Sequence, residues 1–569
     1  MAGGLLNIIA NGNNNIILTG NPSKTFFKVT YSKYTNFGLQ KFRIDYGGSR
    51  TLNLTTPTQF TFKVPRNADL LMDTYLAVTL PDIWSPVMYP CTQTGQKWSP
   101  YEFKWIKDLG LQMISEITIT CGSLTLQKYS GQYLKAMIER DFNKEKKELI
   151  DKMIGNTNDL IEPAIREIFG KTYPSAFTDN TISITGTEPS IRGRKIYIPI
   201  NTWFTLDSRC AFPLIALQYN ELVINITIRP IQELFTIRDI FDPINFNPYI
   251  QPDFNRPEIN MYQFLQTPPY VVTQRSTDIN GVNTLSAIDP NVKLNVPSTY
   301  YQNQVNTWNA DIHLISTFCF LSNEEAALFA KEDQVYLVKD VFEYNFYNVS
   351  GTQKIELTSN GMIAGWMWFL QRNDVNMRNQ WSNYTNWPYD VIPGNIQAPN
   401  QSDPYLKPIN HPLNGGSTGI LLTGPFKEYN QKEILLTAGI LLDGEYRENT
   451  LDSGVYNYLE KYVRTQGNAM DFIYCYNYCL NSNPFEYQPS GAINLSKFRT
   501  VELEVTTYAP PVNPYTSSFN VICDLCGNPI GVNKTNWKLN YYNYNLTLFE
   551  ERYNILSFIG GNCGMLYAR

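Results

Sequence analysis

The chain has 569 residues, a formal net charge of −5, and only 17% charged residues beside 14% aromatic ones. No run of Lys or Arg occurs, which argues against direct coating of nucleic acid. Two histidines, His313 and His411, leave little room for imidazole catalysis or a His-based metal site.

The N-terminus, MAGGLLNIIANGNNNIILTG, lacks a basic n-region and interrupts its apolar residues with Asn and Gly, so residues 1–24 read as an arm and not a signal peptide. No later segment reaches the length of a membrane span. After the Gly20-Asn21-Pro22 turn, Phe27, Val29 and Tyr31 alternate with Lys28, Thr30 and Ser32. That pattern predicts a strand buried on one face, opening a first sandwich over residues 25–235. Alternation continues at Phe42, Ile44 and Tyr46, at Phe60, Phe62 and Val64, and at Leu76, Val78 and Leu80. Ile117 and Ile119 lead into Cys121-Gly122-Ser123, a hairpin. Ile196, Ile198 and Ile200, with Pro199 among them, predict an edge or bulged strand, and Leu222, Ile224, Ile226 and Ile228 a long one.

Helices are few and short. Ser130 caps one carrying Leu134, Met137 and Ile138, Lys144 to Ile154 forms another stopped by Gly155, and Ser322 with Glu325 makes a capping box. Pro243, Pro248, Pro252 and Pro257 mark a linker at 236–260, leaving 261–569 for a second sandwich with its C-terminal segment. Its strands are predicted at Trp366, Trp368 and Leu370, at Ile434 and Leu436, and at Val501, Leu503 and Val505. Asp82 to Lys104 and Asn373 to Asn414 are long aromatic loops of the displayed or functional kind. The predicted fold is all-β, two tandem antiparallel sandwiches with a few short helices and long loops.

Chemistry is thin. Gly415 to Gly419 fits a hydrolase elbow, but a polar loop precedes it and a strand-like Ile420-Leu421-Leu422 follows. Gly20 to Thr25 lacks the glycine before Lys24 and the following helix of a phosphate loop. Glu502 and Glu504 share a strand face at about 6.6 Å, a glycosidase-like spacing, yet Val501, Leu503 and Val505 point the other way, so a solvated outer face is the better reading. Nine cysteines form no dense framework and suit reduced thiols. Cys523 and Cys526 are weak metal candidates, since Cys475 and Cys479, the obvious second pair, lie about 13 Å apart on one strand. No catalytic residue and no cofactor is expected. The sequons at Asn348, Asn383 and Asn533 fit an Asn- and Thr-rich β-protein.

Several blocks in order carry a resemblance. They are Leu18 to Phe37; Ile198 to Phe204 with Phe212 to Tyr219; the helix from Ser322; Gly365 to Gln371; Leu442 to Arg447; Gln488 to Ser496; and Tyr553 to Met565. Together they resemble the major capsid proteins of the nucleocytoplasmic large DNA viruses. Asp443 and Tyr446 depart from the family's Asn and Asp in the Leu-Asn-Gly-x-Asp-Arg turn, and the stretch from Tyr508 to Tyr553 matches nothing in it. The resemblance implies a double jelly roll and a homotrimer with a pseudo-hexagonal outline that tiles an icosahedral shell. It also implies neighbouring capsomers and minor capsid and penton proteins as partners, an inner membrane touched only indirectly, no direct nucleic-acid binding, and a place in the virion after assembly in the host cytoplasm. The two long loops would form the outer crown or intersubunit contacts, and the arm would run along the inner side. The competing expectation is a carbohydrate-binding or carbohydrate-active β-sandwich built on Glu502, Glu504 and the aromatic surface.

Overall fold

A computed structural model of the protein describes residues 3–10, 12–48, 51–85, 87–88, 99–100, 102–163, 173–174, 188–238, 249–254, 260–268, 301–387, 389–390, 432–467, 470–486, 488–508, 520–523, 529–533 and 542–567. Sixteen principal strands form two sandwiches of the same plan. In the first they are β1 (Phe37–Asp45), β2 (Thr58–Lys63), β3 (Leu70–Thr79), β4 (Ile114–Cys121), β5 (Leu124–Tyr129), β6 (Lys195–Pro199), β7 (Leu222–Ile228) and β8 (His313–Leu321). One sheet runs β1-β8-β3-β6 and the other β2-β7-β4-β5, every pairing antiparallel. The second sandwich repeats this with β9 (Gln334–Val349), β10 (Thr352–Glu356), β11 (Met362–Arg372), β12 (Leu435–Leu442), β13 (Glu445–Asp452), β14 (Tyr474–Asn477), β15 (Val501–Thr507) and β16 (Tyr544–Ile559). Its sheets are β9-β16-β11-β14 and β10-β15-β12-β13. Each half is therefore a jelly roll, in which the last strand returns to lie between the first and third.

The alternation read from sequence explains most of these strands. Phe60 and Phe62, Ile117 and Ile119, and Leu222, Ile224, Ile226 and Ile228 are buried, while the residues between them are at least partly open. Each such side chain contributes about 1.5–3 kcal/mol on burial. The β4–β5 hairpin turns on Gly122 at φ +60°, and β12–β13 on Asp443 and Gly444 at φ +52° and +81°, a pair of left-handed residues that matches strand twist. The helices Gly131–Asp141 and Lys144–Ile154 start where Ser130 and Asn143 accept backbone donors, and the latter ends at Gly155. Ser322 Oγ accepts from Glu325 N at 3.4 Å, forming the serine half of the capping box.

Four expectations are corrected. Phe27, Val29 and Tyr31 are in no strand and stand open to solvent; the first strand begins at Phe37. Alternation specifies which face a strand would bury, but a strand also needs a neighbour for its backbone groups, and among the described residues none pairs with this segment. The chain also leaves the first sandwich later than the 236–260 linker. Met261 to Phe264 is buried with the first core, and β8 pairs with β1 and β3. Jelly-roll closure requires that eighth strand, and it arrives only after a long excursion.

In the second sandwich Leu436 is exposed, because the register slips between Leu435 and Thr437 and turns Leu435 inward instead. And β11 is buried on both faces from Ile363 to Arg372, not on the tryptophan face alone. Part of the unmatched 508–553 stretch is structural too, since from Tyr544 it is the central strand β16.

The antiparallel order places the connections after each sandwich's first, third, fifth and seventh strands at one end. The five longest are there: 80–113, 130–194 and 229–312 in the first half, 373–434 and 508–543 in the second. The opposite end carries the connections 200–221 and 478–500, tight turns such as 122–123 and 443–444, the arm that enters β1, and the crossover helix Asn323–Lys331.

Candidate functional site

The two sandwiches meet along a broad junction. At its centre the helix Gly131–Asp141 is buried almost throughout, including Lys135, Glu139, Arg140 and Asp141. One side packs on its own sandwich and the other on β16, where the Tyr133 ring meets Phe549 edge-on at 5.5 Å. Tyr133 Oη donates to Glu551 Oε1 at 3.1 Å, and Arg140 Nη2 reaches the same oxygen at 2.8 Å. Arg140 also holds Asp141 through Nε and Nη2, at 3.0 and 2.7 Å, while Ser482 Oγ of the second half donates to Asp141 at 2.7 Å.

Burial pushes the Glu551 carboxyl up, but the Arg140 and Lys339 charges outweigh it and hold the group below its usual range. Asp141 goes the other way: burial, with the Glu551 charge added, lifts it despite Arg140. Lys135 bridges Asp108 at 2.9 Å and Glu139 at 2.6 Å, so this first-half cluster is paired within itself. Buried charges without such partners would cost several kcal/mol, about 3–5 when one member is lost.

At the long-connection end, Asn379 Nδ2 donates to the carbonyls of Gln232 and Phe235, both at 2.7 Å, and Trp381 Nε1 to Glu233 O at 3.0 Å. Arg229 lies 4.2 Å over the Trp381 ring, and Gln112 Nε2 donates to Ser382 Oγ at 3.0 Å. The segment is braced from within by Asp374, which takes Arg372 at 2.8 Å and Arg378 at 2.9 Å. Burial opposes ionisation of Asp374, yet the two guanidinium groups hold it far below the usual carboxylate range. The opening part of the 373–414 loop is thus buried at the junction and is not displayed. Residues 391–414 lie outside the described residues, as do 86, 89–98 and 101 of the loop from Asp82. Asn383 is closed off as a sequon, its amide donating to Trp387 O at 2.8 Å in a buried setting.

At the other end the strand Asn562–Met565, a hairpin return on β16, touches the first half: Gln218 N donates to Gly561 O at 3.0 Å. Beside this end lies the arm. Phe26, Phe27, Val29, Tyr31 and Tyr34 are all 86–98% exposed, a run of apolar side chains with no cover.

Among the described residues the chemical candidates assemble no reaction centre. Glu504 is only 9% exposed and accepts from Tyr446 Oη at 2.9 Å, while Glu502 stands opposite Glu356 on β10. A glycosidase pair needs two free carboxylates flanking a cleft, and here one is capped. The departures from the resemblance find their use in this place. Asp443 Oδ1 accepts from Arg499 N at 2.6 Å and Thr500 N at 2.9 Å, and Tyr446 caps Glu504. His313 is buried, with Nδ1 2.6 Å from Asp311 O. Cys475 and Cys479 are buried separately, their sulfurs on Tyr456 O and Asn481 O. Cys523 ends a short strand, whereas Cys526, His411 and Gly415 to Gly419 lie outside the described residues. Among the described residues no three His, Cys, Asp or Glu side chains gather as a metal site, and no helix is long and apolar enough to cross a membrane. Sequence reasoning missed the junction network, because charges on a short helix read as its solvated face.

Comparison with known proteins gives this arrangement a family. Residues 25–264 match the family described as major capsid protein N-terminus, and residues 325–564 that described as large eukaryotic DNA virus major capsid protein. The major capsid protein of Phaeocystis pouchetii virus is 30% identical over 236 residues, 41% of this chain and 42% of that protein. This match spans only about two fifths of the relative's length. Probable capsid protein 4 of Acanthamoeba polyphaga mimivirus is 22% identical over 92% of this chain and 97% of its own. Among solved structures, the chain in the quasi-atomic model of the PBCV-1 virus capsid superposes with a TM-score of 0.57 at 17% identity, covering 96% of this chain and all of that one, which shows the shared double jelly-roll fold. The chain belongs to the major capsid protein family of the large eukaryotic DNA viruses.

Proposed function

We propose that this chain is a structural shell subunit that closes into a homotrimer and tiles the capsid of a large DNA virus. The observation that carries the reading is the pair of like-ordered sandwiches set side by side, with the five longest connections at one end. Two similar lobes per chain make six lobes in a closed three-fold ring, a nearly hexagonal tile. Each contact in such a ring is heterologous, and an obligate interface of this kind buries roughly 2,000 Å² or more. The long-connection end faces outward, and the end bearing the uncovered arm faces inward, toward neighbouring capsomers and minor capsid or penton proteins. An inner membrane is met only through those proteins. The net charge of −5 supports a shell role without direct contact to nucleic acid. Cys121, Cys210, Cys319, Cys475, Cys479 and Cys563 are free thiols, which supports assembly in the reducing host cytoplasm. The role involves no catalytic step.

Light scattering coupled to size exclusion, followed by negative-stain microscopy, tests the reading. Trimers with a hexagonal outline are expected. A stable monomer that binds sugar would overturn it in favour of the carbohydrate-binding alternative.

A further inference from the structure

Each sandwich sends a helix out of its fifth strand. In the first half Gly131–Asp141 follows β5; in the second a π-helical turn, Val455–Leu459, and the α-helix Glu460–Arg464 follow β13. The first helix is covered by the face of sheet β9-β16-β11-β14 that turns away from its own core. On that face Phe549 and Glu551 of β16, and Met367 of β11 opposite Phe549, are all buried. The second helix holds its own sandwich through Tyr456, whose Oη donates to Ala438 O at 3.1 Å, with Asn457 and Lys461 buried beside it. Its other face is open: Tyr458, Leu459, Tyr462 and Val463 are 43, 59, 88 and 68% exposed. Spacings of three and four residues set them along one stripe. The equivalent sheet face of the first sandwich is open as well. On β1-β8-β3-β6, Arg43, Ile315 and Tyr75 stand in register on the side away from the core, and Tyr197 of β6 shares that side. Ile315 and Tyr75 are half-buried and Tyr197 is 38% exposed. The charges there are already paired, Asp311 with Arg43 and Lys195, and Asp73 with Lys41 at 3.3 Å.

We propose that the stripe of Tyr458, Leu459, Tyr462 and Val463 docks on the Ile315, Tyr75 and Tyr197 face of a second copy of this chain. The contact repeats between chains the helix-on-sheet packing that joins the two halves within one. The internal repeat selects the occupant. One chain holds a single complete contact, first-half helix under second-half sheet, and the two unmatched halves of another, second-half helix and first-half sheet. Those halves complement each other, so copies join head to tail, the heterologous kind of contact that closes a ring. A two-fold dimer would set helix against helix and leave both sheet faces open. Four apolar side chains standing together in water mark a contact surface. Unlike the Arg140 and Glu551 contact, the stripe carries no charge, so a free subunit leaves no buried ion unpaired before it meets its neighbour. The inference rests on the trimer reading and deepens it by naming the two surfaces that meet.

Two measurements on the full-length protein test it. In light scattering the wild type is expected as a trimer, and the double variant Leu459→Glu with Tyr462→Glu as a monomer whose melting midpoint is unchanged from that of dissociated wild type. Tyr31→Glu, on the arm, stays trimeric. Benzoylphenylalanine placed at position 462 of otherwise unaltered trimers and irradiated should give a band of two joined chains on a denaturing gel, with the cross-link mapping to the peptide that carries Tyr75 or Tyr197. A folded double variant that remains trimeric, or cross-links that fall only on other peptides or only within one chain, would overturn the docking surface and leave the trimer reading standing. If the double variant does not fold, the cross-link alone decides. A wild type that is monomeric at every concentration would overturn the trimer reading and this inference with it.

Discussion

Arg140 Nη2 of the first sandwich lies 2.8 Å from Glu551 Oε1 of the second, with the two side chains 1% and 4% exposed. This pair fastens a helix that both halves bury. Glu551→Gln leaves the guanidinium with a single buried carboxylate, and the loss of one partner of a buried pair costs about 3–5 kcal/mol. Urea unfolding should show the midpoint lowered accordingly. A double-mutant cycle with Arg140→Met should return a coupling of about 0.5–3 kcal/mol. Additive effects would mean that the two residues act independently.

A second contact crosses the junction nearby. Gly467 N donates to Arg140 O at 3.0 Å, and a Cβ at Gly467 would fall 2.2 Å from that oxygen. Backbone, not a flexible side chain, would have to move. Gly467→Ala should therefore cost about 1–3 kcal/mol, the range for overpacking, read as a lower melting midpoint. Gly4→Ala, where nothing lies within 4 Å, is the matched control and should leave the midpoint unchanged.

Acid should loosen the β1–β8–β3–β6 sheet in a defined window. Asp311, just before β8, takes Arg43 of β1 at 2.7 Å and Lys195 of β6 at 3.0 Å, with His313 3.7 Å away. The hydrogen bonds from Arg43 and then Lys195 lower its carboxyl to about 2. A free Asp titrates near about 3.9. The folded value is the lower one, so the unfolded chain binds more protons between them, and the stabilisation present above about pH 4 is lost as pH falls toward 2. Melting curves of wild type and Asp311→Asn should converge across that interval. A gap that stays constant from pH 5 to pH 2 would rule the account out.

Period-two alternation made most of the sandwich strands legible, as at Leu222 to Ile228, because one face of each strand is buried and the other is not. It misled at Phe27 to Tyr31 for the same reason: the pattern records a face meant for burial and is silent on where the cover comes from. The order of strands was not legible. β8 pairs with a strand more than two hundred residues upstream, a pairing set by closure of the jelly roll and not by local residues. The junction was hidden too, since Arg140 and Glu551 look like solvated charges until the second sandwich is laid against the first.

That uncovered run leads to the remaining prediction. Residues 12–36 are exposed throughout and include Phe26, Phe27, Val29, Tyr31 and Tyr34, yet they contribute nothing to the core of their own chain. Removing the first twenty residues, or extending the deletion to residue 34, should therefore change the melting midpoint of the folded subunit very little, as surface changes typically stay within about 0.5 kcal/mol. An apolar run of this size left open in water marks a contact surface, and its place at the end opposite the long connections sets it against whatever lines the inner side of a shell. Either deletion should leave trimers intact while abolishing closed shells, as counted by electron microscopy of particles purified from cells making the truncated protein. Unimpaired shells from the longer deletion would show that the arm is dispensable, and that its aromatic residues serve some end other than assembly.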